Sequence, residues 1–207
     1  MFENRQDAGQ QLSKKLKQYK EDDPLVLAIP RGGVEVGYEV AQNLDMDFSI
    51  LISRKLPLPY NPEGGFGAIA EDGSKYIINS YKFHLNEDKI SEIVAEQKQE
   101  IARRIEILRK GRSLPKLENR TVILVDDGIA TGSTMLVSTR LCKNQNAKKI
   151  IIAVPVAGNK SIEKFSKLVD DLIVLESPEN FRAVAQVYEN WYDVSDKEVL
   201  EILYSEK

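Results

Sequence analysis

The sequence predicts an α/β fold with a mainly parallel central sheet flanked by helices. Short apolar runs rich in Val, Ile and Leu alternate along the chain with longer segments whose apolar residues recur every three or four positions. The 207 residues carry 29 basic and 32 acidic side chains, and no block of like charges stands out. A chain of this length and charge balance is expected to fold as one domain, 1–207, around a single large core.

The first half of the chain is expected to supply two strands of the sheet. Its elements are predicted at about 7–19 (helix), 25–29 (strand), 36–44 (helix), 48–53 (strand) and 87–110 (helix). Residues 56–67 are rich in Pro and Gly and are predicted to form a long loop. Residues 68–71 and 75–79, joined through Asp72-Gly73, are predicted to pair as a hairpin.

The second half repeats the alternation. Its strands are predicted at 122–125, 150–156 and 172–175. Its helices are predicted from the stretch 130–134 to about 145, through 162–168 and from about 196. The core is therefore expected at about 20–176. Residues 1–19 and 177–207 would form a hood or appendage to it.

Composition excludes several classes of function. The net charge of −3 gives no indication of a surface that binds nucleic acid or an anionic membrane, so any phosphate recognition must be local. Cys142 is the only cysteine and His84 the only histidine, which argues against disulfides, Cys/His zinc sites and Cys–His or Ser–His nucleophiles. No apolar stretch is long enough to span a membrane, so a cytoplasmic location is expected.

The stretch 122–134 carries most of the functional information. Its apolar run ends in Asp126-Asp127, at the carboxyl end of a strand, where open α/β sheets bind ligands. The small side chains at 130–134 would let main-chain N–H groups approach an anion at a helix start. A plain strand, turn and helix cap is the alternative, but capping requires neither the acid pair nor the whole small-residue run.

This stretch resembles the phosphoribosyl pyrophosphate (PRPP) motif of type I phosphoribosyltransferases: four hydrophobic residues, Asp-Asp, three residues, then Thr-Gly-Ser-Thr. The resemblance implies that Asp126 and Asp127 bind the ribose 2- and 3-hydroxyls. The residues implied to wrap the 5-phosphate are Ala130, Thr131, Gly132, Ser133 and Thr134. The resemblance also implies Mg²⁺, held mainly by substrate oxygens and water near the acid pair, and a homodimer.

A second loop follows the first predicted strand. Glycines let the main chain turn toward a ligand, and a guanidinium makes forked contacts with phosphate oxygens, so Arg31-Gly32-Gly33 suits an anion. It resembles the pyrophosphate loop of the same family, which implies a non-proline cis peptide bond just before Arg31. A simple strand-to-helix turn is the alternative.

The third loop follows the basic pair Arg54-Lys55. It resembles the flexible catalytic loop of the adenine and orotate phosphoribosyltransferases. The resemblance implies that the pair reaches the pyrophosphate and that the loop closes over the reacting carbon. Glu63 is the candidate proton carrier, and a solvated loop charge is the alternative.

The acceptor base is left open. Ala130 replaces the Asp of hypoxanthine-type members, as in adenine-type members, whereas residues 172–181 resemble the purine-pocket segment of hypoxanthine-type members. Phe181 maps onto the aromatic that stacks on the base, but the later carboxylate position falls on Tyr188. Ordinary packing is the alternative for the aromatic residues of this segment, which are Phe181, Tyr188, Trp191 and Tyr192.

Taken whole, the chain is most similar to a branch of this family whose acceptors are unassigned. The shared motifs are Pro30–Gly33, Arg54–Leu56, Asn61–Glu63, Ala70–Gly73 and Val125–Gly132. The resemblance implies transfer of the phosphoribosyl group from PRPP to a nucleobase-like acceptor, with small molecules rather than nucleic acid or membrane as partners. A non-catalytic PRPP or nucleotide sensor and a sugar-phosphate or pyrophosphate hydrolase are the alternatives.

Overall fold

The computed structural model describes residues 1–81 and 85–204, with the side chains of residues 62 and 63 left out. His84 and the side chain of Glu63 therefore lie outside the described residues. The described parts contain no helix that is both long and apolar enough to cross a bilayer.

The described residues form eight strands and six α-helices. The strands are β1 Leu25–Ala28, β2 Asp47–Ile50, β3 Ser53–Leu58, β4 Asn61–Ala70, β5 Lys75–Ile77, β6 Thr121–Val125, β7 Lys149–Val156 and β8 Asp171–Glu176. The helices are α1 Arg5–Leu16, α2 Gly32–Leu44, α3 Glu87–Arg109, α4 Ser133–Asn144, α5 Asn159–Phe165 and α6 Asp196–Tyr204. Short 3-10 helices lie at Lys17–Asp22, Asn79–Tyr81 and Val184–Val187.

The central sheet is parallel, as predicted. Its strand order is β2-β1-β6-β7-β8, and every neighbouring pair runs in the same direction. All five residues of β6 are buried, because apolar side chains cover both faces of the sheet. Leu12 of α1 and Val36 of α2 pack on one face, and Leu136 of α4 and Phe165 of α5 pack on the other.

The main error of the sequence prediction concerns residues 48–67. Strand β2 ends at Ile50, and Ser53 begins β3, which belongs to a separate antiparallel sheet of order β3-β4-β5. The predicted loop 56–67 is mostly strand, because Leu56 and Phe66 are fully buried and hold the hairpin against the rest of the molecule. Proline is accommodated where the β3–β4 register shifts, next to Pro57. The predicted hairpin between β4 and β5 is confirmed.

Helix α1 begins two residues earlier than predicted, at Arg5. Asn4 caps it, since its side chain accepts a hydrogen bond from the N–H of Asp7. The buried stripe of α1 packs against α2 and the sheet, so the N-terminal segment lies against the core. The early start places the Arg5 side chain, 3% exposed, beside the end of β6.

Candidate functional site

The acid pair lies at the carboxyl end of β6. Asp127 donates its main-chain N–H to Oδ1 of Asp126 at 2.9 Å, and the side chain of Asp127 is only 15% exposed. Burial raises the pKa of both carboxyl groups, and the negative charge of Asp127 raises the pKa of Asp126 further. Two carboxylates with so little solvation favour partners that bring hydroxyl protons or positive charge.

Arg5 is the cation next to this pair. Its Nε donates to Oδ2 of Asp127 at 2.9 Å, and its charge opposes the rise in the pKa of Asp127. A second nitrogen lies 3.5 Å from Oε2 of Glu35, itself 8% exposed. Arg5 was not predicted as a site residue, because a lone arginine in an amphipathic helix belongs to no motif.

The loop Pro30–Gly33 packs directly against the acid pair. The peptide bond between Pro30 and Arg31 is cis, as the resemblance implied. A Cβ atom on Gly32 would lie 1.9 Å from Oδ2 of Asp127, and a Cβ atom on Gly33 would lie 2.8 Å from Cα of Asp126. Only glycine fits at these positions, so the two motifs predicted from sequence form one continuous wall.

The loop 130–134 presents main-chain N–H groups. Within the described parts of the chain, the N–H groups of Ala130, Thr131 and Gly132 have no acceptor. Gly132 has φ +72°, and a Cβ atom there would lie 2.7 Å from the ring of Phe165. The main chain thus turns into α4 with its donors facing outward, which suits an anion.

A cleft of about 130 Å³ joins this loop to the acid pair. It is lined by Asp126, Thr131, Gly132 and Thr134, and by Val184 from the C-terminal segment. Ser161 steadies the loop by donating its hydroxyl to the Ala130 carbonyl at 3.2 Å. Sequence reasoning missed Val184, since an apolar residue in an irregular segment gives no signal.

Four arginines form a basic cluster on the other side of the site: Arg31, Arg54, Arg103 and Arg104. Burial lowers the pKa of Arg54, and the neighbouring positive charges of Arg104, Arg31 and Arg103 lower it too, against the effect of Glu100. Its Nε donates to Oε1 of Gln97 at 3.1 Å. The predicted pyrophosphate residues Arg31 and Arg54 therefore share one electrostatic environment.

Among the described residues, two carboxylates form ion pairs with this basic cluster. Glu100 accepts from Arg103 at 2.7 Å and from Arg104 at 3.0 Å, and its pKa is lowered to about 2, chiefly by the hydrogen bond from Arg103. Asp196, the first residue of α6, lies 2.9 Å from Arg103 and 3.8 Å from Arg31. Helices α3 and α6 thus extend the predicted anion site, which no local motif indicates.

Arg54 and Lys55 lie inside a strand of the hairpin. They are consecutive residues of β3, so their side chains leave opposite faces of the strand. Arg54 is half-buried toward α3, whereas Lys55 is exposed and its stem passes close to Gly65 of β4. The prediction that a loop begins directly after this pair is wrong, since β3 continues to Leu58.

The C-terminal aromatic residues surround Arg5 rather than one common pocket. The Tyr188 hydroxyl donates to the Asp127 carbonyl at 2.7 Å, and the Arg5 guanidinium lies 4.0 Å from the centre of the Trp191 ring. The Tyr192 hydroxyl donates to Oε1 of Glu35. Phe181 lies apart from the cleft lining, with its ring next to Gly158 after β7.

Two further residues, Cys142 and Glu71, make contacts within the fold and do not line the cleft. Cys142 is fully buried in α4, and burial raises the pKa of its thiol to about 12. Glu71, from the motif Ala70–Gly73, accepts from the N–H of Ile52 at 2.9 Å and pairs with Arg109, which is buried. In the described ranges, no group of three His, Cys, Asp or Glu side chains is placed to hold a metal ion.

Known proteins share both the sequence pattern and this architecture. A protein of Mycobacterium tuberculosis (strain H37Rv), named "Putative phosphoribosyl transferase", is 38% identical over 205 residues, covering 98% of this chain and 46% of that protein. The chain thus spans about half the length of the curated relatives it matches. The crystal structure of TT1426 from Thermus thermophilus is similar, with a TM-score of 0.81 and 31% identity, covering 98% of this chain and 97% of that one.

The family described as "Phosphoribosyl transferase domain" matches residues 3–190, which include the acid pair, the loop at 130–134 and the Arg31 loop. The match therefore covers most of the chain and every element of the cleft described above. On this evidence the chain belongs to the type I phosphoribosyltransferase family.

Proposed function

We propose that the protein is an enzyme that transfers the 5-phosphoribosyl group between PRPP and a nitrogenous base, releasing pyrophosphate. One observation carries the proposal: Asp126 and the loop with the unpaired N–H groups of 130–132 line one cleft, and the Gly32-Gly33 wall packs directly against Asp126 and Asp127. A pentose with a 5-phosphate requires hydroxyl acceptors beside an anion cradle. Family membership supports this ligand class.

The acid pair would bind the ribose hydroxyls. One oxygen of Asp126 already accepts from a main-chain N–H, and one oxygen of Asp127 accepts from Arg5. The second oxygen of each carboxylate is the one that would accept a ligand hydroxyl. The pair's negative charge would also favour the positive charge that develops on the ribose ring as the C1–pyrophosphate bond loosens.

The basic cluster would take the pyrophosphate. Arg31 and Arg54 are the two members predicted from sequence, and Arg103 and Arg104 add charge from α3. An incoming pyrophosphate would relieve the mutual repulsion that lowers the pKa of Arg54. Lys55 is included in the proposal as a second basic contact through the hairpin.

Magnesium belongs to the proposal because the acid pair supplies the hard oxygen donors that Mg²⁺ prefers. Asp126 and Asp127 would hold it mainly through water and substrate oxygens. When bound, it supplies positive charge that favours departure of pyrophosphate. The residues of the chain orient the sugar and its phosphate in either case.

The base would lie beside the C-terminal segment. Val184 lines the cleft, and Phe181 lies by the end of the neighbouring strand β7. Ala130 offers no carboxylate to a base nitrogen, so acid–base assistance would have to come from elsewhere. The Glu63 proton carrier stays a prediction, as does the homodimer.

The decisive experiment measures pyrophosphate release from PRPP with Mg²⁺ and a panel of purine and pyrimidine bases. Release that depends on one base supports the transferase. Binding of PRPP without release in any mixture would instead identify a sensor, and release that is independent of base would identify a hydrolase. Either of the last two results overturns the proposal.

A further inference from the structure

Arg5 is more tightly constrained than a helix-surface arginine needs to be. It is 3% exposed, and its Nε donates to Oδ2 of Asp127 at 2.9 Å. Its NH1 group donates to the Tyr192 carbonyl at 3.0 Å, and the guanidinium plane lies 4.0 Å from the Trp191 ring centre. Four neighbours from three parts of the chain, counting Glu35, therefore fix one side chain.

The Arg31 loop packs directly against the contact between Arg5 and Asp127. A Cβ atom on Gly32 would lie 1.9 Å from Oδ2 of Asp127 and 2.8 Å from Nε of Arg5. The loop can approach the ion pair this closely only because residue 32 has no side chain. Arg5 thus contributes to the same wall as the two motifs.

The position of the Asp127 carboxylate depends on Arg5. Arg5 donates to Oδ2 of Asp127, whereas Tyr188 donates to its main-chain carbonyl, so the side chain and the main chain of Asp127 are held by different residues. Without Arg5, the carboxylate would lose the contact that fixes its orientation, and Oδ1 would no longer be held toward a ligand hydroxyl.

We propose that Arg5 is a positioning residue of the PRPP site, which holds the Asp127 carboxylate in one orientation while the aromatic segment 188–192 holds Arg5. This inference rests on the proposed function for its ligand. It gives the N-terminal helix and the C-terminal segment one shared task. It also explains why aromatic residues gather around Arg5 rather than around a base.

The test compares two buried arginines. Arg109 is a matched control, because it is also buried, pairs with Glu71 and donates to the main-chain carbonyl of Ile50, outside the acid pair. Calorimetric titration with PRPP and Mg²⁺ at neutral pH should show that Arg5→Gln weakens binding about 10–100-fold, as when an outer hydrogen-bond partner of a metal-binding residue is lost. Arg109→Gln should lower the melting temperature and leave the PRPP affinity within about twofold.

A second readout does not need PRPP. In protein labelled with ¹³C at aspartate carboxyl carbons, the Asp127 signal, assigned by its loss in Asp127→Asn, should change its chemical shift in Arg5→Gln and keep it in Arg109→Gln. Arg5→Lys should restore part of both effects, because it keeps the charge but loses the fork. It also serves as the test variant if Arg5→Gln fails to fold.

The outcomes separate the two proposals. If the wild type binds no PRPP, the proposed function fails, whereas the Asp127 carboxyl signal still decides the effect of Arg5 on Asp127. If the wild type binds PRPP and folded Arg5 variants match its affinity and its Asp127 chemical shift, the positioning role is wrong.

Discussion

At the end of β6, Asp126 and Asp127 lie in a partly buried network closed by Arg5, whereas the side chains of Arg31 and Arg103 in the basic cluster remain 39% and 45% exposed. We call the first region the acidic end. It is fixed by partly buried hydrogen bonds and by glycines that admit no side chain. In the basic cluster Arg104 is buried, but the ion pairs of Arg31 and Arg103 face solvent, and such pairs are weaker and more easily exchanged.

This difference indicates a division of work. A rigid acidic end suits a group that stays bound through the reaction, such as the pentose. An exchangeable basic cluster suits a group that leaves. Substitutions at the acidic end should therefore have larger effects than substitutions in the basic cluster.

The strongest test of the acidic end is Asp127→Asn. Removing a preorganised electrostatic contact of this kind typically costs on the order of 3–4 kcal/mol of barrier, so turnover should fall about a hundredfold or more. The rate of pyrophosphate release, with the acceptor found in the panel, measures it. A loss below tenfold would contradict the assigned role.

Gly32→Ala should be nearly as harmful, because its Cβ atom would lie 1.9 Å from Oδ2 of Asp127. Such overpacking costs about 1–3 kcal/mol of stability, and we expect PRPP affinity to fall at least about tenfold as Asp127 is displaced.

Gly73→Ala is the control for Gly32→Ala. Gly73 has φ +86° and open space around it, so alanine there should cost about 1–2 kcal/mol of stability without any change in PRPP affinity. Equal loss of affinity in both variants would show that general destabilisation, and not crowding of the acid pair, is responsible.

In the basic cluster, Arg54→Gln should weaken pyrophosphate binding about tenfold, since one charge-assisted contact of three or more is lost. Its effect on the melting temperature should be small, because burial and neighbouring arginines already disfavour the charged form. Arg140→Gln, which loses an exposed contact with the Lys75 carbonyl and one with the Tyr76 ring, is the control for inhibition by pyrophosphate. If pyrophosphate inhibits Arg54→Gln as strongly as it inhibits the wild type, Arg54 does not contribute to pyrophosphate binding.

The last and smallest change in stability is expected at the acidic end itself, where Asp126→Asn should give a gain. Asparagine keeps the oxygen that accepts from Asp127 N–H. Since burial raises the folded-state pKa of Asp126, the wild type loses stability as pH rises above the unfolded value, and the variant does not.

Thermal melts measure this difference, which should widen as pH rises above about 4, with about 2–4 °C for each kcal/mol in a chain of this size. PRPP binding should nevertheless be lost. A variant that melts below the wild type at every pH above about 4 would show that the Asp126 charge is stabilised in the fold.

How much the sequence predicts differs between the two regions. The strand β6 and the positions of the acid pair and of the loop at 130–134 were predicted, because each depends on a few consecutive residues, and the cis bond before Arg31 was implied by the family resemblance. The prediction failed at β3 and β4, where the Pro and Gly content favoured a loop. Burial of Leu56 and Phe66 against residues distant in sequence outweighed that local preference.

The sequence by itself determined the alternation of strands and helices, and with it the edge of the sheet at which the acid pair and the Gly32 loop meet. Only the tertiary structure decided which distant side chains complete the site. They are Arg5 from the first helix, Trp191 and Tyr192 from the C-terminal segment, and Arg103 and Asp196 from two helices far apart in sequence. The physical reason is the distance along the sequence between the residues that determine each feature. A strand end or a glycine turn follows from neighbouring residues, whereas an ion pair depends on which distant side chains the packed core brings within about 4 Å.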